Sequence, residues 1–169
     1  MMLSKFKRNK HQQHLAQLPK LSQSAADIRT LFSPAEFRQT LLEKIAGATR
    51  RICIVALYLE NDDGGRAILN ALYDAKRARP EMDVSICVDW HRAQRGRIGA
   101  AAAATNADWY CQLATDNPQI AIPVYGIPVN TREALGVLHL KGFVIDDAVL
   151  YSGASLNDVY PVSYTHLRA

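Results

Sequence analysis

Two short apolar runs separated by one helical stretch constrain this chain more than any other feature. Residues 51–59 (RICIVALYL) and 84–88 (VSICV) have strand length and are rich in β-branched side chains. Between them, Asn61-Asp62-Asp63-Gly64-Gly65 is a cap-and-turn cluster that leads into a helix over residues 66–79. Ile68, Leu69, Leu72 and Ala75 recur there at helical spacing, and Pro80 ends the helix. Strand–helix–strand order implies a parallel pair with a crossover helix. A preceding helix is expected over residues 35–48, opened by Ser33-Pro34 and striped by Phe37, Leu41, Leu42 and Ile45. A later helix is expected over residues 106–114, then a strand over 120–125. A hairpin closes the pattern: strands 142–145 and 148–151 flank an Asp146-Asp147 turn. Alternating β and α elements with a late hairpin make an α/β sandwich.

At 169 residues and 49% apolar content, the chain can bury one core. No apolar run approaches the roughly 20 residues that span a bilayer, and no signal peptide is expected. Cys53, Cys87 and Cys111 lack metal-ligand spacing; Cys53 and Cys87 read as small core hydrophobes. No metal and no cofactor is expected, and unpaired thiols suit a reducing, cytoplasmic compartment. The net charge of +4 is unevenly spread: Lys5, Lys7, Arg8, Lys10 and Lys20 all precede the first acid, Asp27. Such a segment is drawn to an anionic membrane surface, by about 1 kcal/mol per basic residue. Nucleic acid would attract it equally.

The chemistry is concentrated in His139-Leu140-Lys141, Asp146 and the later Ser155 and Asn157, an H-x-K-x4-D pattern followed by S-x-N. Two residues apart on a strand, an imidazole and an ammonium point to one face. A neutral imidazole can attack phosphorus while the ammonium and the Asn amide neutralise phosphoryl oxygens. The set suits phosphoryl transfer through a covalent phosphohistidine, without a metal. A lone H-x-K carries no information; here the hairpin would return Asn157 towards His139 and Lys141. His139, Lys141 and Asp146 are the candidate catalytic residues, with Asp146 fitting an orienting role in the turn better than proton transfer. Upstream, Asp89-Trp90-His91-Arg92-Ala93-Gln94-Arg95-Gly96-Arg97 follows the carboxyl end of a strand, where α/β folds place ligand groups. Arg92, Arg95 and Arg97 could clamp a phosphate.

The H-x-K-x4-D pattern resembles the HKD motif of the phospholipase D superfamily. With RICIVALYLENDDGG, VDWHRAQRGRIGAAA, NADWYC, VYGIPVNTREALGVLHLKGFVIDD and YSGASLNDVY, the chain from about residue 3 to Tyr160 resembles the bacterial phosphatidylserine synthases of that superfamily. The resemblance implies a phospholipase D-like α/β/α sandwich half-domain with a mixed sheet. It further implies phosphatidyl transfer from CDP-diacylglycerol to L-serine, giving phosphatidylserine and CMP. His139 would form the phosphatidyl-histidine, and Lys141, Ser155 and Asn157 would hold the phosphoryl oxygens. The family is cytoplasmic and peripheral to the inner face of the cell membrane.

That family builds its site from two HKD motifs in one chain. None of His11, His14, His91 or His166 heads a second one here. The expected organisation is a basic amino-terminal segment (residues 1–32), a first HKD domain (33–160) and a non-native tail (161–169) resembling translated adaptor sequence. The expectation is a truncated synthase, inactive alone, that needs a second HKD half or a homodimeric partner. Two other readings compete. One is a single-HKD phosphodiesterase or nuclease acting as a homodimer, against which the synthase-like flanking motifs argue. The other is a non-catalytic lipid-headgroup binder.

Overall fold

The computed structural model describes residues 12–20, 22–95, 105–129 and 138–153. The chain divides into two compact units, Met1–Leu31 and Phe32–Ala169. In the first, residues 12–17 are helical, and a 3-10 turn at Ala25–Asp27 is capped by the Ser24 side chain.

The second unit begins with helix α1 (Pro34–Gly47). Ser33 caps it by accepting the Glu36 N–H, and Pro34 takes a first-turn position where its missing N–H costs nothing. Strand β1 (Arg51–Ala56) follows, then helix α2 (Asp63–Ala78) and strand β2 (Asp83–Asp89). A four-residue helix α3 (Trp90–Ala93) leaves β2 directly. Helix α4 (Asn106–Asp116) opens on a capping box between Thr105 and Asp108. Strands β3 (Val124–Ile127), β4 (Gly142–Ile145) and β5 (Ala148–Tyr151) complete the unit.

The five strands form one mixed sheet in the order β3-β2-β1-β4-β5. β1, β2 and β3 are parallel, and β4 runs antiparallel to both β1 and β5. The α/β class, the parallel pair with its crossover helix and the closing hairpin therefore stand as expected. One strand is displaced: β3 starts at Val124 rather than residue 120. Pro123 has no N–H to donate to a ladder, and only its carbonyl is used, by the Ile86 N–H at 3.0 Å.

Ile52, Ile54, Ile86, Val88, Phe143 and Ile145 share one face of the sheet and are at most 2% exposed. Leu41 and Ile45 of α1 and Ile68, Leu69 and Leu72 of α2 cover that face, and Phe37 meets Phe143 edge-on at 5.7 Å. Burying a side chain such as Phe143 contributes about 2–3 kcal/mol. Asn106 Oδ1 of α4 accepts the Asn61 N–H from the loop before α2, and Arg77 of α2 donates to Asn117 just after α4. The described helices thus supply a helical layer on this face. On the opposite face Cys53, Val55, Cys87 and Val144 are half-buried, while Tyr125, Val149 and Tyr151 are exposed. Cys53 and Cys87 therefore lie on this second face rather than in the main core.

The loop from β1 to α2 is clamped. Tyr110 accepts the Leu59 N–H at 2.9 Å and donates to the Leu59 carbonyl at 2.5 Å; burial pushes the pKa of its hydroxyl well above the ordinary tyrosine value. Asp62 caps α2 through the Gly65 N–H. A Cβ on Gly65 would stand 1.9 Å from the Glu60 carbonyl oxygen, in a backbone held by its neighbours. Gly65→Ala is expected to destabilise the fold by about 2 kcal/mol or more, read as a lowered urea midpoint.

Candidate active site

Strand directions decide where chemistry can gather. The carboxyl ends of β1, β2, β3 and β5 and the amino end of β4 share one edge, because Gly142 pairs with both Val55 and Tyr151 while Val55 pairs with Cys87. His139 and Lys141 sit there, just before β4. The H-x-K segment lies outside the regular strand, which starts at Gly142, yet the two side chains still meet. Lys141 Nζ is 3.0 Å from His139 Nε2.

Lys141 is only 3% exposed, whereas His139 is exposed. Burial pushes the pKa of the Lys141 ammonium below its ordinary value by withdrawing solvent from the charge. A charged ammonium has donors only, so the contact assigns the free lone pair to His139 Nε2 and the ring proton to Nδ1. Lys141 thus favours the His139 tautomer whose Nε2 is the acceptor. The Lys141 carbonyl accepts the Ser152 N–H at 3.2 Å, bringing the end of β5 beside the pair.

The arginine segment reaches the same edge. Asp89, the last residue of β2, is 1% exposed. Its Oδ1 accepts the Arg92 N–H at 2.8 Å, and its Oδ2 accepts the Leu138 N–H at 2.9 Å. The Arg92 backbone and the residue before His139 are therefore held by one carboxylate. Arg92 is half-buried and Arg95 exposed. Trp90, 46% exposed, packs over Gly126 of β3, where a Cβ would approach its ring to 2.7 Å, and meets the His91 ring edge-on at 5.0 Å. Arg97, Ser155 and Asn157 lie outside the described residues.

Asp146 is not brought to this edge. It sits at the far end of β4, roughly 16 Å from Lys141 at the usual strand rise, with φ of 49° in the turn to β5. Its carboxylate accepts the N–H groups of Thr49, Arg50 and Arg51 at 2.8 to 3.0 Å, and the Thr49 hydroxyl at 3.1 Å. The Arg51, Thr49 and Arg50 backbone donors hold it well below the usual carboxylate range. Grouping Asp146 with the catalytic residues is corrected on this geometry: it pins the α1–β1 loop to the hairpin.

Sequence reasoning missed Asp89 as a contributor. Its visible signal was an Asp at a strand end three residues before Arg92, an N-cap pattern that gives no hint of the second contact, 49 residues away. Among the described residues, no three His, Cys, Asp or Glu side chains converge as metal ligands would, and no helix is long and apolar enough to cross a membrane.

The chain matches no protein-family model. It is 76% identical over 159 residues to the CDP-diacylglycerol–serine O-phosphatidyltransferase PssA of Escherichia coli (strain K12), covering 94% of this chain and 35% of that protein. It is 47% identical over 165 residues to the CDP-diacylglycerol–serine O-phosphatidyltransferase of Haemophilus influenzae, covering 95% and 35%. The crystal structure of the Haemophilus influenzae phosphatidylserine synthase superposes with a TM-score of 0.80 at 45% identity, over 94% of this chain and 35% of that one. The chain spans about a third of the length of the curated relatives it matches.

Proposed function

We propose that this chain, homologous to part of the phosphatidylserine synthases, carries one HKD half-site of such an enzyme. The whole protein would transfer a phosphatidyl group from CDP-diacylglycerol to L-serine. The observation that carries the reading is the His139–Lys141 contact at the shared strand edge, with the arginine segment fastened beside it.

In the first step His139 Nε2 attacks the diacylglycerol-linked phosphorus. A phosphorus–nitrogen bond forms, the bond to the CMP oxygen breaks, and CMP leaves with the electron pair. A general acid protonates it. In the second step the serine hydroxyl attacks the same phosphorus, loses its proton to a base and returns the electron pair to His139. Lys141, with Ser155 and Asn157, neutralises the non-bridging oxygens, and Arg92, Arg95 and Arg97 hold substrate phosphate. The acid–base group is a second histidine, from another HKD half of the whole protein or from a homodimeric partner, and residues 33–160 alone are inactive. Lys5, Lys7, Arg8, Lys10 and Lys20 draw the protein to the anionic inner face of the cell membrane, where the lipid substrate resides.

The test is a full-length chimera in which residues 1–160 replace the corresponding part of the Escherichia coli relative. It should convert labelled serine to a lipid-soluble product with stoichiometric CMP release. A folded chimera that yields neither, beside an active parent, overturns the reading. In the active chimera, Lys141→Met should lower kcat by about 10²- to 10³-fold, the usual cost of removing one donor to developing oxyanion charge.

A further inference from the structure

We infer that Asp89 is a positioning residue for His139, one carboxylate that sets both the nucleophile strand and the arginine segment; this rests on the role proposed above for His139. A four-residue helix needs only one side-chain acceptor at its amino end, and Asp89 Oδ1 meets that need through Arg92. The second oxygen is spent on the Leu138 N–H, from the segment that leads into the strand two places across the sheet. Leu138 is adjacent to His139, so its bond places the His139 Cα within one peptide unit of a fixed point.

A carboxylate at 1% exposure is costly unless charge-assisted hydrogen bonds compensate it. Among the described residues Asp89 forms no ion pair; its partners are these two backbone N–H groups. Downstream, the Ser152 N–H holds the Lys141 carbonyl and the β4 ladder begins at Gly142. The three residues His139 to Lys141 are therefore tethered at both ends, and Asp89 is the upstream tether. Among the described residues, the imidazole without it stays attached to a segment fixed on one side only. Misplacement of a nucleophile by an ångström costs about 100-fold in rate.

The experiment compares variants in the full-length chimera with CDP-diacylglycerol and serine. Asp89→Asn keeps one acceptor oxygen but turns an amide N–H₂ towards the other N–H. It should lower kcat roughly 10- to 100-fold, with KM for CDP-diacylglycerol within about threefold of the parent. Asp89→Ala, with no acceptor, should fall further. Replacing Leu138 by its α-hydroxy acid deletes only that N–H and leaves the helix cap intact. It should reproduce the kcat loss even where the Asp89 variants fail to fold. If kcat of the α-hydroxy variant stays within about twofold of the parent, or Asp89→Asn raises KM alone, the inference is overturned. His139→Ala in the same chimera separates the two claims. If it retains activity, the nucleophile assignment fails and the inference fails with it; if it is dead while the Leu138 variant is unchanged, the inference alone fails.

Discussion

Replacing His139 by alanine in the full-length chimera should reduce CMP release by at least about 10⁴-fold, the largest effect expected of any single change. The reason is chemical: alanine offers no lone pair, so the phosphatidyl group has no protein atom to occupy between donor and acceptor. Lys141 would lose the Nε2 it contacts at 3.0 Å, but its ammonium would stay where phosphoryl oxygens arrive. Binding of CDP-diacylglycerol should therefore change little. Labelling with a radioactive diacylglycerol moiety, quenched in detergent at neutral pH, provides the check. The parent should hold label on a histidine that is stable to base and labile to acid, and His139→Ala should hold none. A variant that still turned over at a tenth of the parental rate would move the nucleophile elsewhere.

Asp146→Asn should give the largest loss of stability among surface carboxylates. Asparagine tolerates the positive φ of 49° as well as aspartate does, so the change isolates the charge. An amide can accept from only one oxygen where the carboxylate used two to gather three backbone N–H groups. The thermal midpoint of the chain at pH 7 should fall by about 5 °C or more, whereas Asp147→Asn, which breaks only an exposed pair with Arg50, should change it little. The pH dependence has a definite sign. The folded Asp146 carboxyl lies below its unfolded value of about 4, so the unfolded state binds the proton more readily. Its contribution is complete above that value and drains away as pH falls towards the folded value. Between pH 7 and pH 3 the parent should therefore lose more stability than Asp146→Asn, whose profile is flatter.

Much of this molecule was legible because local rules and global fold agree. The Asp62 and Ser33 caps, the α1 and α2 stripes and the Asp146-Asp147 turn are local signals, and each element formed where they indicated. The His139–Lys141 pairing was legible for a different reason: two residues apart, their geometry depends on little beyond an extended backbone. Long-range facts were not legible. Nothing in the spacing of H-x-K-x4-D reveals that its Asp faces the opposite sheet edge, because strand length separates residues that sequence places together. Nothing near Asp89 announces a partner at Leu138, since that contact depends on which strands become neighbours. The half-burial of Cys53 and Cys87 likewise follows from which sheet face the helices cover, and the two strand faces read alike in sequence.

The central position of β1 has a consequence for how the chain is made. One flank of β1 pairs with β2, which follows within about thirty residues, but the other pairs Ile52 with Ile145. During synthesis at about 5–20 residues per second, that second flank waits roughly 5 to 20 s for its partner. Throughout that interval the newborn chain presents an apolar, hydrogen-bond-hungry strand edge to whatever is nearby. A ribosome stalled before β4 would release a chain with its central strand half-paired, a natural client for holdase chaperones. Escape from that hazard coincides with the placing of His139 and Lys141, because the strand that completes the ladder directly follows them.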